Sequence, residues 1–409
     1  MTDAGALGVP PHKGNAVVDE RSLQLDLFRG VAAIFMIVNH SGYQLLKAEA
    51  SSGGWPAGFV FLGSTAPALF FFATGVGSGF SSGGRERVAS VSRKIVLLLL
   101  ADMLLNWSAG TLLGLDFFGF AAVATLVLFL VKRARRPVLV AAFLLVLVVI
   151  ARFGVVSFVR GSIAEDSVLA FITGIAPVRH VSYPLGPWLA FPLLGFLVGR
   201  RWRRGGVREE TWTVSIASAL LLGASAVLAS RGAPVFRWGS VSIAYFLCAV
   251  GVVAVVWLVT RWLAKASPSS ARSMALRGPA SLLIVPLHYG ALGMLEELSP
   301  PPWSLVAWVL TTVLLAICVL LLSRALVASA RRFGSPGSIA EILIGGAACT
   351  VGLVACLHAT PLVRLEVCSA AEVVIALLLL WSSRRNVVDT RTGPGGPLSI
   401  SRDTSPPSR

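Results

Sequence analysis

The stretch RSLQLDLFRGVAAIFMIVNHSGYQLL, Arg21 to Leu46, is long and apolar enough to cross a bilayer as one helix, yet it carries Asp26, Arg29, Asn39 and His40. A titratable side chain in hydrocarbon costs a few kcal/mol even after snorkelling, so such groups mark either a site or a partnered structural pair. Asp26, Ala33 and His40 recur every seventh residue, as do Arg29, Met36 and Tyr43, and on a helix the two columns share one face. At 1.5 Å per residue, Asp26 and His40 stand ~21 Å apart along the axis. The stripe therefore runs from a cytoplasmic-side acid and base to an outer-side imidazole. Gly30 and Ala33 keep its middle narrow enough for another helix or a ligand to approach.

The rest of the chain has the same character. Of 409 residues, 56% are hydrophobic and 13% charged, where a soluble globule carries about 25% charge. This composition specifies an integral membrane protein. Apolar stretches near 23–46, 59–80, 94–110, 115–131, 138–158, 183–199, 212–230, 239–260, 279–296, 303–323, 338–359 and 367–383 predict an all-α, polytopic protein of about 12 transmembrane helices, within a range of 10–12. Connections 81–94, 132–136, 200–211, 261–277 and 324–337 hold 4, 4, 5, 4 and 3 Lys or Arg, while the alternate connections hold none to two. Basic loops stay on the cytoplasmic side, so this alternation places both termini there and explains the net charge of +16 without nucleic acid as a partner.

Residues 1–20 and the Pro, Gly, Ser and Thr-rich 386–409 read as disordered cytoplasmic tails around one membrane domain, 21–385. The polar start predicts no cleavable signal peptide. The five cysteines lie scattered in apolar segments with no metal-ligand spacing, so no metal site is expected.

Other spans add polar groups. SYPLGPWLAFPLLGFLVGR, Ser182 to Arg200, combines Pro184, Pro187 and Pro192 with Tyr183 and Trp188, then Gly195 and Gly199. It is either the wall of a site or an aromatic belt on a proline-kinked helix. GPASLLIVPLHYGALGMLEEL, Gly278 to Leu298, places Pro286 at mid-helix, where it frees the Leu282 carbonyl, and His288 beside it near the midplane. His288 is a functional group or a structural one bonded to that freed carbonyl. In FLGSTAPALFFFATGVGSGF, Phe61 to Phe80, Gly75 and Gly79 read as a packing face. Asp102 reads as structural, with Arg29 or Lys94 as its expected partner.

These segments resemble the transmembrane acyltransferases, particularly the heparan-alpha-glucosaminide N-acetyltransferase-like proteins and, more distantly, the acyltransferase 3 group. The resemblance rests on RSLQLDLFRGVAAIFMIVNH, STAPALFFFATGVGSGF, SYPLGPWLAFPLLGFLVG and GPASLLIVPLHYGAL, which occur in family order across residues 21–292. It implies transfer of an acyl group, acetyl above all, from cytoplasmic acyl-coenzyme A to a hydroxyl or amine of an extracytoplasmic carbohydrate or glycolipid, in the cell membrane, here a bacterial inner membrane. It also implies a catalytic histidine near the outer end of the first helix, which here is His40.

On that reading Arg29, Arg93 and Lys94 bind the coenzyme phosphates, with Asp26 holding Arg29. His40 acts as general base or accepts the acyl group first, and Asn39, Ser41 or His288 donates to the oxyanion. Ser41, Tyr43, Tyr183 and Trp188 line the substrate pocket. Membrane lipids surround the protein, and a homodimer is compatible with it. The alternative is a proton-coupled secondary transporter of major-facilitator-like architecture, and a third reading is an inactive membrane scaffold.

Overall fold

The computed structural model describes residues 13–46, 54–81, 88–112, 114–154, 165–176, 178–203, 210–233, 241–276, 278–332 and 338–391. Among them every long element is a helix. In chain order these are α1 (Lys13–Ser41), α2 (Gly54–Gly63), α3 (Ala66–Phe80), α4 (Val88–Ser108), α5 (Phe117–Arg133), α6 (Pro137–Val149), α7 (Val168–Thr173) and α8 (Leu185–Trp188). They continue as α9 (Ala190–Arg203), α10 (Glu210–Ser230), α11 (Ile243–Ala266), α12 (Pro268–Met274), α13 (Ile284–Leu298), α14 (Leu305–Arg332), α15 (Ser338–His358) and α16 (Pro361–Arg391).

Each of the expected apolar stretches is helical over most of its described residues. Among the described residues six segments are long and apolar enough to span a bilayer by length and composition: Gly54–Phe80, Pro137–Gly154, Trp212–Ser230, Ile243–Ala266, Leu305–Ala330 and Ala340–His358. Helices α5, α9 and α13 are shorter, at 17, 14 and 15 residues. The terminal helices also reach into the stretches read as disordered, beginning at Lys13 and ending at Arg391. The remainder of those two tails lies outside the described residues.

Local chemistry sets the boundaries. Asp116 caps α5 by accepting the Phe117 N–H at 2.8 Å, and Ser242 caps α11 by accepting the Tyr245 N–H at 3.0 Å. At Ser64 and Thr65, both hydroxyls turn back onto carbonyls, of Phe61 at 2.6 Å and Leu62 at 2.7 Å. This break separates α2 from α3. Pro286 lies in the first turn of α13 and not at mid-helix, because a 3-10 turn, Gly278–Leu283, precedes it. A first-turn N–H has no intrahelical acceptor, so proline is tolerated there without a kink.

Burial sorts the spans. In the most apolar 18 residues of Gly54–Phe80, 78% are buried, whereas the corresponding share is 11% in Pro137–Gly154 and in Trp212–Ser230, so the latter two turn apolar faces outward as lipid-facing helices do. Helix α1 is central, packed against α2, α3, α11 and α14. The tightest seam joins α3 to α9. Gly75 and Gly79 lie on the Pro192 and Phe196 carbonyls, and reciprocally Gly195 and Gly199 lie on those of Phe72 and Val76. A Cβ on Gly195 would also stand 3.0 Å from the Val76 nitrogen, so the backbones would have to part. Gly195→Leu is therefore expected to destabilise by about 1–3 kcal/mol, as over-packing does. Thermal unfolding in detergent at an unchanged midpoint would contradict this packing.

Candidate active site

The carboxy-terminal end of α1 delivers His40 against the start of α13. His40 Nδ1 lies 2.7 Å from His288 Nε2, and the rings stack with centroids 4.9 Å apart. His288 is fully buried, and its Nδ1 lies 2.6 Å from the Ile284 carbonyl oxygen. The partner is thus the carbonyl one turn back and not that of Leu282. A carbonyl only accepts, so Nδ1 of His288 carries the hydrogen. With both rings neutral, Nε2 of His288 then accepts from Nδ1–H of His40. The lone pair of His40 is left on Nε2, where the Tyr289 hydroxyl approaches at 3.4 Å. A base oriented by a second group, itself oriented by a third, is the logic of acyl-transfer triads.

The other residues singled out in the sequence are distributed around this pair. Asn39 donates from Nδ2 to the Val60 carbonyl at 2.9 Å and fastens α1 to α2. Ser41 is fully enclosed, 2.9 Å from the Thr312 hydroxyl, and accepts from Trp308 Nε1 at 3.1 Å, which joins α1 to α14. Tyr43 lies in a π-helical turn, Gly42–Leu46, that continues α1, and is 53% exposed. Tyr183 and Trp188 stack edge to face at 4.9 Å inside an aromatic core with Phe71, Phe117 and Phe120.

Nearer the amino end of α1, Arg29 Nη1 meets Asp26 Oδ1 at 2.8 Å, both side chains largely buried. The guanidinium also lies beside Gly77 of α3, where an added Cβ would stand 3.2 Å from Nη2. Arg93 is brought elsewhere. Its Nε lies 3.0 Å from Ser382 Oγ and 3.4 Å from Glu341 Oε2, tying α4 to α16 and α15. Lys94, next to it, is half-buried and makes interactions of its own.

Asp102 meets neither Arg29 nor Lys94 in any pairing described. Its two oxygens accept the Asp116 N–H at 3.2 and 3.1 Å, and Gly119 lies directly on its carboxylate. The positive end of α5 replaces the expected cation. Among the described residues no three His, Cys, Asp or Glu side chains converge as metal ligands.

Two groups passed unremarked in the sequence. Tyr289 directly follows His288, so its signal was adjacency to an intramembrane histidine. Glu372 was the lone carboxyl within CSAAEVVIALLLLW, Cys368 to Trp381. It is 2% exposed, and its Oε2 has no hydrogen-bond partner.

A family model described as heparan-alpha-glucosaminide N-acetyltransferase, catalytic, matches residues 21–231, just over half of the chain. The chain belongs to this family. Membership makes it a membrane acetyltransferase of the heparan-alpha-glucosaminide N-acetyltransferase type. No curated protein and no solved structure matches the chain. The part matched to the family carries His40, Asn39, Asp26, Arg29, Tyr183 and Trp188, but His288, Tyr289 and Glu372 come from helices beyond it. The partners that orient His40 thus belong to the carboxy-terminal half.

Proposed function

We propose that the protein moves an acyl group, acetyl above all, from cytoplasmic acyl-coenzyme A to a hydroxyl or amine of an extracytoplasmic glycan or lipid-linked acceptor, with His40 as general base. The observation that carries this reading is the hydrogen-bonded chain from the Ile284 carbonyl through His288 to His40, which leaves Nε2 of His40 as the basic atom. Nε2 is also the atom least engaged. Its contact with Tyr289, at 3.4 Å, is too long for a strong hydrogen bond, and an acceptor X–H can replace it.

In the step proposed, X–H gives its proton to His40 Nε2 as X attacks the thioester carbonyl. The new X–C bond forms, the C–S bond breaks, and coenzyme A leaves as thiolate. A positioned base of this kind contributes about 10²–10⁴-fold. Arg29, held by Asp26 at the cytoplasmic end of the same helix, is the proposed contact for the coenzyme phosphates. Arg93 already faces Glu341 and Ser382 and so holds α4 against the last two helices, while Lys94 beside it stays a proposed phosphate contact.

The test is transfer itself. Purified protein in nanodiscs, given radiolabelled acetyl-coenzyme A and a panel of membrane glycans and glycolipids, is expected to release free coenzyme A and label an acceptor. Proton-driven solute uptake into proteoliposomes without thioester cleavage would replace this reading with that of a carrier.

A further inference from the structure

Coenzyme A carries a 5′-diphosphate, which leads into the pantetheine arm, and a separate phosphate on the 3′ position of the same ribose. Pantetheine and diphosphate are shared with dephosphorylated forms of the coenzyme. Only the 3′-phosphate marks coenzyme A itself, so a donor site that selects it needs a second cationic position beyond the one that holds the diphosphate.

The end of α3 provides such a position. Arg29 lies against Gly77, and Ser81 donates its N–H to the Gly77 carbonyl at 3.1 Å, so Ser81 stands one turn, about 5.4 Å, further along the same face. Two cations from other helices converge there. Lys132, in the last turn of α5, places Nζ 3.0 Å from Ser81 Oγ, and Arg203, at the end of α9, places Nη1 3.4 Å from the Ser81 carbonyl oxygen. Ser81 Oγ donates back to the Ser78 carbonyl at 2.9 Å, which fixes the hydroxyl as the acceptor for Lys132. Exposure rises along this track, from Arg29 with 14% of its side chain exposed, through half-buried Lys132, to exposed Arg203.

Retention of basic loops on one side of a membrane accounts for how many Lys and Arg lie at this end, but not for where they point. Arg133 stacks over the Phe129 ring at 4.3 Å and Arg200 over the Phe196 ring at 5.8 Å, each on its own helix. Lys132 and Arg203 instead reach from separate helices to one residue. The negative end of α3 favours a cation at that point. Bringing two together a turn from Arg29 adds repulsion, which an anion bound among them relieves. The 3.4 Å bond of Arg203 is long, and a guanidinium carries five donors, so phosphate oxygens can take it over.

We propose that Lys132 and Arg203, gathered on Ser81 at the end of α3, form the subsite for the 3′-phosphate of coenzyme A, with Arg29 one turn inward on the diphosphate. This rests on the acyl-transfer reading, in which this end of the bundle faces the cytoplasm. The 3′- and 5′-phosphates of one ribose are separated by roughly the span of one helical turn, which matches the step from Ser81 to Gly77. The order also fits the direction of entry. The ribose stays near the surface, the diphosphate meets Arg29, and the pantetheine arm runs on toward His40, about 16 Å further along α1.

The test is a binding titration of the full-length protein, in nanodiscs of phosphatidylcholine, with coenzyme A and with 3′-dephospho-coenzyme A. Wild type is expected to bind coenzyme A at least about tenfold more tightly. The double variant Lys132→Ala/Arg203→Ala is expected to weaken coenzyme A by about 10–100-fold and dephospho-coenzyme A by less than about threefold. Its retained affinity for the dephospho form shows that it is folded. Arg203→Ala alone, at an exposed position, should lose about three- to tenfold of the preference. Arg133→Ala/Arg200→Ala removes equal charge from the same end and should keep the preference whole. Equal weakening of both ligands, equal loss in the two double variants, or an Arg203→Ala protein with the full preference would overturn the subsite. Loss of the preference when phosphatidylglycerol replaces phosphatidylcholine would assign the pair to lipid phosphate, which also overturns it. A wild type that transfers acetyl from both donors with equal affinity defeats this inference alone. A wild type that neither binds coenzyme A nor transfers an acyl group defeats the function on which it rests.

Discussion

His40→Ala is expected to lower kcat for acyl transfer by about 10²–10⁴-fold while leaving KM for acetyl-coenzyme A nearly unchanged. The separation follows from the geometry of α1. Nε2 of His40 is the one ring nitrogen of the histidine pair left without a short partner, since Nδ1 of His40 and both nitrogens of His288 are taken at 2.7 and 2.6 Å. Arg29, the proposed phosphate contact, is about 16 Å away along the helix, so loss of the imidazole should not reach it. Steady-state kinetics with radiolabelled donor gives both parameters. A variant retaining kcat within about threefold would remove His40 from the chemistry.

The second large effect is expected from His288, which on this account touches no substrate. His288→Ala takes away the acceptor for Nδ1–H of His40, and the ring is then free to present either nitrogen or to rotate away from the acceptor. A fall of about 10²-fold in kcat is expected, by analogy with other bases that lose their orienting group. Because the two histidines act as a unit, the double variant should be little worse than His40→Ala alone. Additive losses would show instead that each histidine makes its own contact with the reacting groups. The carbonyl of Ile284 anchors the whole chain, and a backbone atom is not removed by side-chain substitution, so these two histidines are where the arrangement can be broken.

Much of this was legible before any coordinates. Helical architecture followed from apolar runs, and Gly75 with Gly79 and Gly195 with Gly199 were each legible as packing faces from their spacing, because close helix packing demands small residues at that period; that the two faces meet is a tertiary fact. The Asp26–Arg29 pair was likewise a matter of helical spacing, three residues apart on one face. Partners distant in the chain were harder to name. Asp102 was expected to seek Arg29 or Lys94, since a buried carboxylate needs positive charge, yet it sits at the amino end of α5, where backbone N–H groups supply it. Arg93 was grouped with Arg29 by its place at a cytoplasmic helix start, but Glu341 and Ser382, nearly 250 residues or more further on, face it.

The sequence by itself determined that this is an all-helical membrane protein with titratable groups on its first helix, because apolar run length and helical period are local properties that neighbours along the chain fully specify. Tertiary structure decided what those groups face. That His40 meets His288 across 248 positions and that Tyr289 closes on the pair both depend on how helices α1 and α13 pack. Hydrophobic packing is non-directional, and many arrangements of apolar helices satisfy it; the one adopted is chosen by side-chain shape and by the few polar contacts that must be paired within the bundle.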